Sequence, residues 1–167
     1  MTAEEIKQYL TELNDELCLR DIKGEVSLFG GAVMCLVYDA RPATKDVDAI
    51  FKPTAEIRDA VHTIAERNSL PFDWLNDGVK GYVVEHRERS LFNMSNLRVF
   101  VPEPDYLLAM KAIAARVDTA DQDDVKVLIR ELGLTRAEQV FDILGSYYPS
   151  NLIKPATQYF IEELFGS

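Results

Sequence analysis

A chain of 167 residues, 47% of them hydrophobic, supports one domain with a substantial core, with room for a helical extension, and excludes wholesale disorder. Its formal net charge of -10 excludes a general duplex-binding protein, which would be basic, and favours solubility. No apolar run is long enough to cross a bilayer, and the opening Met1-Thr2-Ala3-Glu4-Glu5 is acidic rather than signal-like, so the cytoplasm is the expected compartment and no membrane partner is expected.

In chain order, Thr2 and Glu5 form a capping box for a first amphipathic helix carrying Ile6, Leu10, Leu13 and Leu17 at helical spacing, which Gly24 breaks off. Val26 to Phe29 reads as a strand ending at Gly30-Gly31. Ala32 to Tyr38 is short and apolar all round, a helix buried behind that turn. Asp39 to Lys45, with Pro42, is a loop, and Asp46 to Phe51 a second strand. Pro53-Thr54 announces a helix to about Asn68. Ser69 to Gly81 reads as a structured loop over Phe72 and Trp74, both core anchors. Tyr82 to Val84 is a short strand, and 85–89 a solvated charged connection. Leu91–Met94 and Leu97–Val101 flank Ser95-Asn96 as a hairpin.

Pro102-Glu103-Pro104 stops the sheet and starts a helix through Arg116. Asp121 to Leu132 is a helix closed by Gly133, a Thr135/Glu138 capping box opens the next, and Pro155 starts the last. The pattern predicts an α+β fold: a small mixed sheet flanked by helices over 1–101, and a helical part over 102–167 packed on it as one unit. Cys18 and Cys35 lack metal-ligand spacing and are expected as buried, reduced thiols.

The chemistry concentrates between residues 29 and 51. Gly30 and Gly31 carry no Cβ, so their backbone amides are open to close approach by an anion such as phosphate. Asp46 and Asp48, two apart on a strand, share a face opposite Val47 and Ala49. Paired carboxylates beside a phosphate-binding turn suit Mg2+ or Mn2+ carrying a nucleotide. The alternatives are a plain strand-to-helix turn and a solvated strand end. Arg41, Thr44 and Lys45 either touch phosphates or solvate the loop.

Gly30-Gly31 followed by Asp46-Val47-Asp48 resembles the signature of the DNA polymerase beta-type nucleotidyltransferases. Leu107-Leu108-Ala109-Met110-Lys111, followed by Asp121-Gln122-Asp123-Asp124, is similar to the later lysine and D-x-x-D pattern of the small bacterial group related to AbiE-type toxin nucleotidyltransferases. The resemblance implies Asp46 and Asp48 as metal ligands and Gly30 and Gly31 as nucleotide contacts, to which Thr44 and Lys45 would add by their place before the acidic pair, with Lys111 and Asp121 or Asp124 completing the site. The superfamily's third carboxylate is missing from Leu97–Val101, which offers Arg98. Asp73, Asp77 or Glu85 fills its place, or the later lysine and aspartates do. Lys111 otherwise snorkels to water, and Asp121 otherwise caps its helix.

The implied reaction moves a nucleoside monophosphate from an NTP to a hydroxyl, with RNA, especially the 3′ end of tRNA, as acceptor for a toxin. A basic mouth of Arg41, Lys45, Lys80, Arg98 and Lys111 would reconcile RNA with the acidic chain. The competing expectation is a nucleotidyltransferase fold without turnover, binding nucleotide or a basic, antitoxin-like protein encoded beside it.

Overall fold

The structure is a computed structural model that describes residues 1–114 and 119–166. Its first helix, α1 (Ala3–Leu19), starts on the predicted capping box: Thr2 Oγ1 accepts from Glu5 N–H at 3.2 Å, and Glu5 Oε1 accepts from Thr2 N–H at 3.0 Å. Ile6, Leu10, Leu13 and Leu17 are fully buried. Asp21, with φ 57°, turns the chain after α1, so the helix stops before Gly24, which opens the first strand. Aspartate tolerates this left-handed backbone better than most residues. Cys35 is buried as predicted. Cys18 is exposed instead, because it falls just outside the buried stripe of α1.

The elements that follow are β1 (Gly24–Phe29), α2 (Gly30–Leu36), β2 (Val47–Lys52), α3 (Thr54–Asn68), β3 (Leu75–Asn76), β4 (Glu88–Asn93) and β5 (Leu97–Pro102). They build a five-stranded mixed sheet in the order β3-β2-β1-β5-β4. Strand β1 runs antiparallel to β2 and parallel to β5. One face buries Val26, Leu28, Val47, Ala49, Leu97, Val99 and Val101, and α1 and α3 pack in the same unit. Strand alternation therefore turns Glu25, Ser27, Asp48, Arg98 and Phe100 to the other face.

Four expectations change here. The segment 69–81 contains a two-residue strand, β3, paired with β2, and a 3-10 turn over Gly78–Gly81. Trp74 is buried, its Nε1 donating to the Val61 carbonyl at 3.0 Å, but Phe72 is 59% exposed and only tilts against His62. Residues 82–84 form no strand, since the Val84 N–H is satisfied by the Tyr106 hydroxyl at 3.0 Å rather than by a ladder partner. The hairpin forms around Ser95-Asn96, and β4 begins at Glu88, inside the segment expected as a connection.

The chain divides into two compact units: residues 1–83 with 88–102, and residues 84–87 with 103–167. The second contains α4 (Pro104–Ala114), α5 (Thr119–Glu131), α6 (Ala137–Tyr147) and α7 (Pro155–Leu164). The final residues of the helix expected to reach Arg116 lie outside the described residues. Gly133 closes α5 with φ 66°, as the sequence predicts. Helix α6 is capped differently: Gln139 Oε1, not Glu138, accepts from the Thr135 and Arg136 amides at 2.8 and 3.0 Å. Inside this unit Tyr106 is the hub, with His86 stacked on its ring at 4.0 Å and the Tyr148 hydroxyl 2.8 Å from its own.

Candidate active site

Strand β1 delivers the chain to Phe29, which pairs with Asp48 of β2. Gly30 then turns the backbone with φ 66°, and α2 begins at once. This register brings a carboxylate onto the glycine turn. A methyl group built on Gly30 would lie 2.7 Å from Asp48 Oδ2. One residue on, a methyl group on Gly31 would lie 2.6 Å from Thr44 Oγ1 and 3.2 Å from an Arg41 guanidinium nitrogen. Real Cβ atoms do not tolerate the two approaches below 3.0 Å, so the space freed by both glycines is used by the protein's own side chains.

The loop carrying those side chains is held at several points. Ala40 N–H donates to the Met34 carbonyl at 3.0 Å, and Thr44 N–H to the Met1 carbonyl at 2.8 Å. Thr2 and Ala43 form an isolated bridge. The Thr44 hydroxyl donates to the Asp46 carbonyl at 3.3 Å. Strand β2 begins at Val47, so Asp46, expected on the strand, lies in the bend before it. Asp46 and Asp48 are both half-buried, and alternation between fully buried Val47 and Ala49 turns the Asp48 carboxylate from the core. Lys45 is exposed. Gly30, Gly31, Asp48, Arg41 and Thr44 thus form one cluster, to which Asp46 is tied through its backbone.

Of the acids considered for the third place, Asp77 is paired with Arg58 at 2.9 Å, Asp73 is exposed, and Glu85 belongs to the helical unit. A carboxylate that the sequence reading passed over reaches the Asp48 face: Glu88 Oε2 of β4 accepts from the Ser27 hydroxyl at 2.9 Å. Only strand register reveals it, because Ser27 and Glu88 are 61 positions apart. Arg98 lies 3.6 Å from Glu25 and over the Phe100 ring.

In the helical unit, Lys111 of α4 meets two acids of α5. Its Nζ lies 2.8 Å from Asp124 Oδ2 and 3.4 Å from Asp121 Oδ1. The lysine side chain is 11% exposed and that of Asp124 only 1%, so Lys111 does not snorkel to water. This buried ion pair is a structural tie whatever else it does, since removing one partner would strand a charge.

Among the described residues, no group of three or more His, Cys, Asp or Glu side chains is spaced to hold a metal ion. Two carboxylates nonetheless fit Mg2+, which is commonly held by one or two carboxylates with substrate phosphates supplying further oxygens. The half-buried carboxylates at 46 and 48 are hard oxygen ligands of the kind that suits it.

A family model described as nucleotidyltransferase of unknown function (DUF6036) matches residues 4–152. The chain belongs to this family, a class fitting the mixed sheet, the glycine turn and the acidic strand. No curated protein and no solved structure matches it. Among the described residues, no helix is long and apolar enough to cross a membrane.

Proposed function

We propose that the protein transfers a nucleoside monophosphate from an NTP to a hydroxyl acceptor, using Mg2+ or Mn2+ held by Asp46 and Asp48. The observation carrying this reading is the β1–β2 register that sets Asp48 against Gly30. When bound, the cation neutralises charge developing at the α-phosphate and lowers the pKa of a coordinated hydroxyl. The two carboxylates orient that cation, while the amides of Gly30 and Gly31, and the Thr44 hydroxyl once turned from the Asp46 carbonyl, receive phosphate oxygens. The acceptor oxygen bonds to the α-phosphorus, the bond to the pyrophosphate oxygen breaks, and the acceptor proton passes to a carboxylate or solvent.

The acceptor class follows the resemblance to AbiE-related toxins: RNA, with the tRNA 3′ end first, and an antitoxin-like protein as regulator. The net charge of -10 favours a local RNA contact over a broad one. Incubating the protein with each NTP labelled at the α-phosphate, Mg2+ and total RNA tests the reaction. Label enters RNA with the wild-type protein and falls at least about 100-fold with Asp46→Asn or Asp48→Asn, a loss typical of removing a charged group that stabilises the transition state. Equal labelling by wild type and both variants rejects the assignment. The missing acid on β5 favours a second reading, a nucleotide-binding module without turnover. Binding of NTP with no product on RNA or protein would select it.

A further inference from the structure

We propose that Arg41 makes the site selective for a triphosphate, by gripping the phosphates beyond the one held at the acids. This inference rests on the nucleotidyltransferase reading and deepens it.

Four observations converge on Arg41. Its guanidinium lies against Gly31, at 3.2 Å from where a side chain would begin, beside the Thr44 hydroxyl. The Asp48 carboxylate lies against Gly30. The turn therefore carries an acid at one residue and a cation with a hydroxyl at the next, an order that matches a phosphate chain running from a metal-held α-phosphate outward. The backbone at Arg41 is also constrained. Pro42 restricts it to extended conformations, and the anchors at Ala40 and Thr44 lie on either side. Arg41 is half-buried, whereas Lys45, beside the acidic pair in sequence, is exposed and under no such constraint.

The electrostatics need this cation. Two carboxylates and a metal-bound nucleoside triphosphate are together anionic, and each added phosphate increases the repulsion unless a fixed positive charge faces it. A planar guanidinium supplies paired N–H donors in a rigid fork that matches phosphate oxygens, which a lysine ammonium does not. Gly31 is then required because its missing side chain leaves the space that Arg41 and Thr44 occupy.

The test is calorimetry with a non-hydrolysable NTP and the matching NDP and NMP, each with Mg2+, on wild type, Arg41→Lys, Arg41→Ala and Gly31→Ala. Lys7→Ala, an exposed change on α1, serves as control. The wild type and Lys7→Ala prefer the triphosphate over the monophosphate. Arg41→Ala loses about 10- to 100-fold in triphosphate affinity, the worth of hydrogen bonds to a charged group, and under about threefold for the monophosphate. Arg41→Lys, which keeps charge and bulk, loses most of the same preference. Gly31→Ala, which collides with the Thr44 hydroxyl and crowds the guanidinium without removing either, weakens the preference in the same direction. An Arg41→Ala protein that keeps the wild-type ratio overturns the proposal while leaving the reaction class standing, as does loss of the preference in Lys45→Ala alone. A wild-type protein that binds none of the three nucleotides overturns both.

Discussion

At the scale of single residues, the site depends on two positions that lack side chains. Gly30→Ala combines a left-handed backbone, costing about 1–2 kcal/mol for a residue with a Cβ, with a collision against Asp48. Gly133→Ala has the same φ of 66° but nothing within 4 Å of the added carbon. Both variants should therefore lose stability in urea denaturation, Gly30→Ala the more, and only Gly30→Ala should also lose Mg2+-dependent NTP binding. Equal nucleotide affinity in the two would separate the glycine turn from the ligand. The glycine turn and the outward place of Asp48 were legible because their meaning is local: two missing side chains, and a polar residue between apolar ones on a strand; Asp46, expected on the same strand, precedes it. The place of Arg41 was not, since a loop must fold back before its guanidinium meets Gly31. The Ser27–Glu88 contact was hidden for the same reason, being a product of strand register. Phe72 and Trp74, two residues apart, look alike in the sequence, yet only the indole finds a buried carbonyl.

At the scale of elements, the helices and the hairpin were readable from periodicity and turn chemistry, but the ties between them were not. Asn14 is buried within α1, and its Oδ1 accepts the Asn96 amide at 2.7 Å across the hairpin turn. Asn96 in turn donates from Nδ2 to the Ile22 carbonyl at 3.0 Å, fixing the turn to the start of β1. Asn14→Ala strands a backbone donor, and urea denaturation should read a loss of about 1–3 kcal/mol. An unchanged midpoint would mean that water replaces the bond. In the helical unit the Tyr147 hydroxyl donates to Asp105 at 2.6 Å. Burial first, then that bond and the charge of Asp105, push its pKa from 10.0 up to about 12. Folding thus favours the neutral phenol, and the stability it contributes is full below pH 10 and is lost as pH rises through about 12. Burial and the Tyr106 hydroxyl push Tyr148 in the same direction. Denaturation midpoints of Tyr147→Phe should accordingly fall less steeply across that window than those of the wild type. Parallel profiles would assign the alkaline loss elsewhere.

At the scale of the whole molecule, the sequence pattern separates a sheet-forming part from a helical part because strand alternation stops at Pro102-Glu103-Pro104. It does not reveal that residues 84–87 belong with the helices, because their ties are to Tyr106 and the start of α4 rather than to sheet neighbours. The family match ends at residue 152, so α7 lies beyond it while every candidate site residue lies within it. On the proposed reading, a nucleotide held through a divalent cation suits the acidic chain better than bare phosphate would. The central claim is therefore tested most directly by Mn2+ uptake, read by electron paramagnetic resonance, with a non-hydrolysable NTP and either wild type or Asp46→Asn/Asp48→Asn. The account predicts that the signal of free Mn2+ drops well below the level set by nucleotide alone only when both carboxylates are present. Equal uptake by the wild type and the double variant would contradict it.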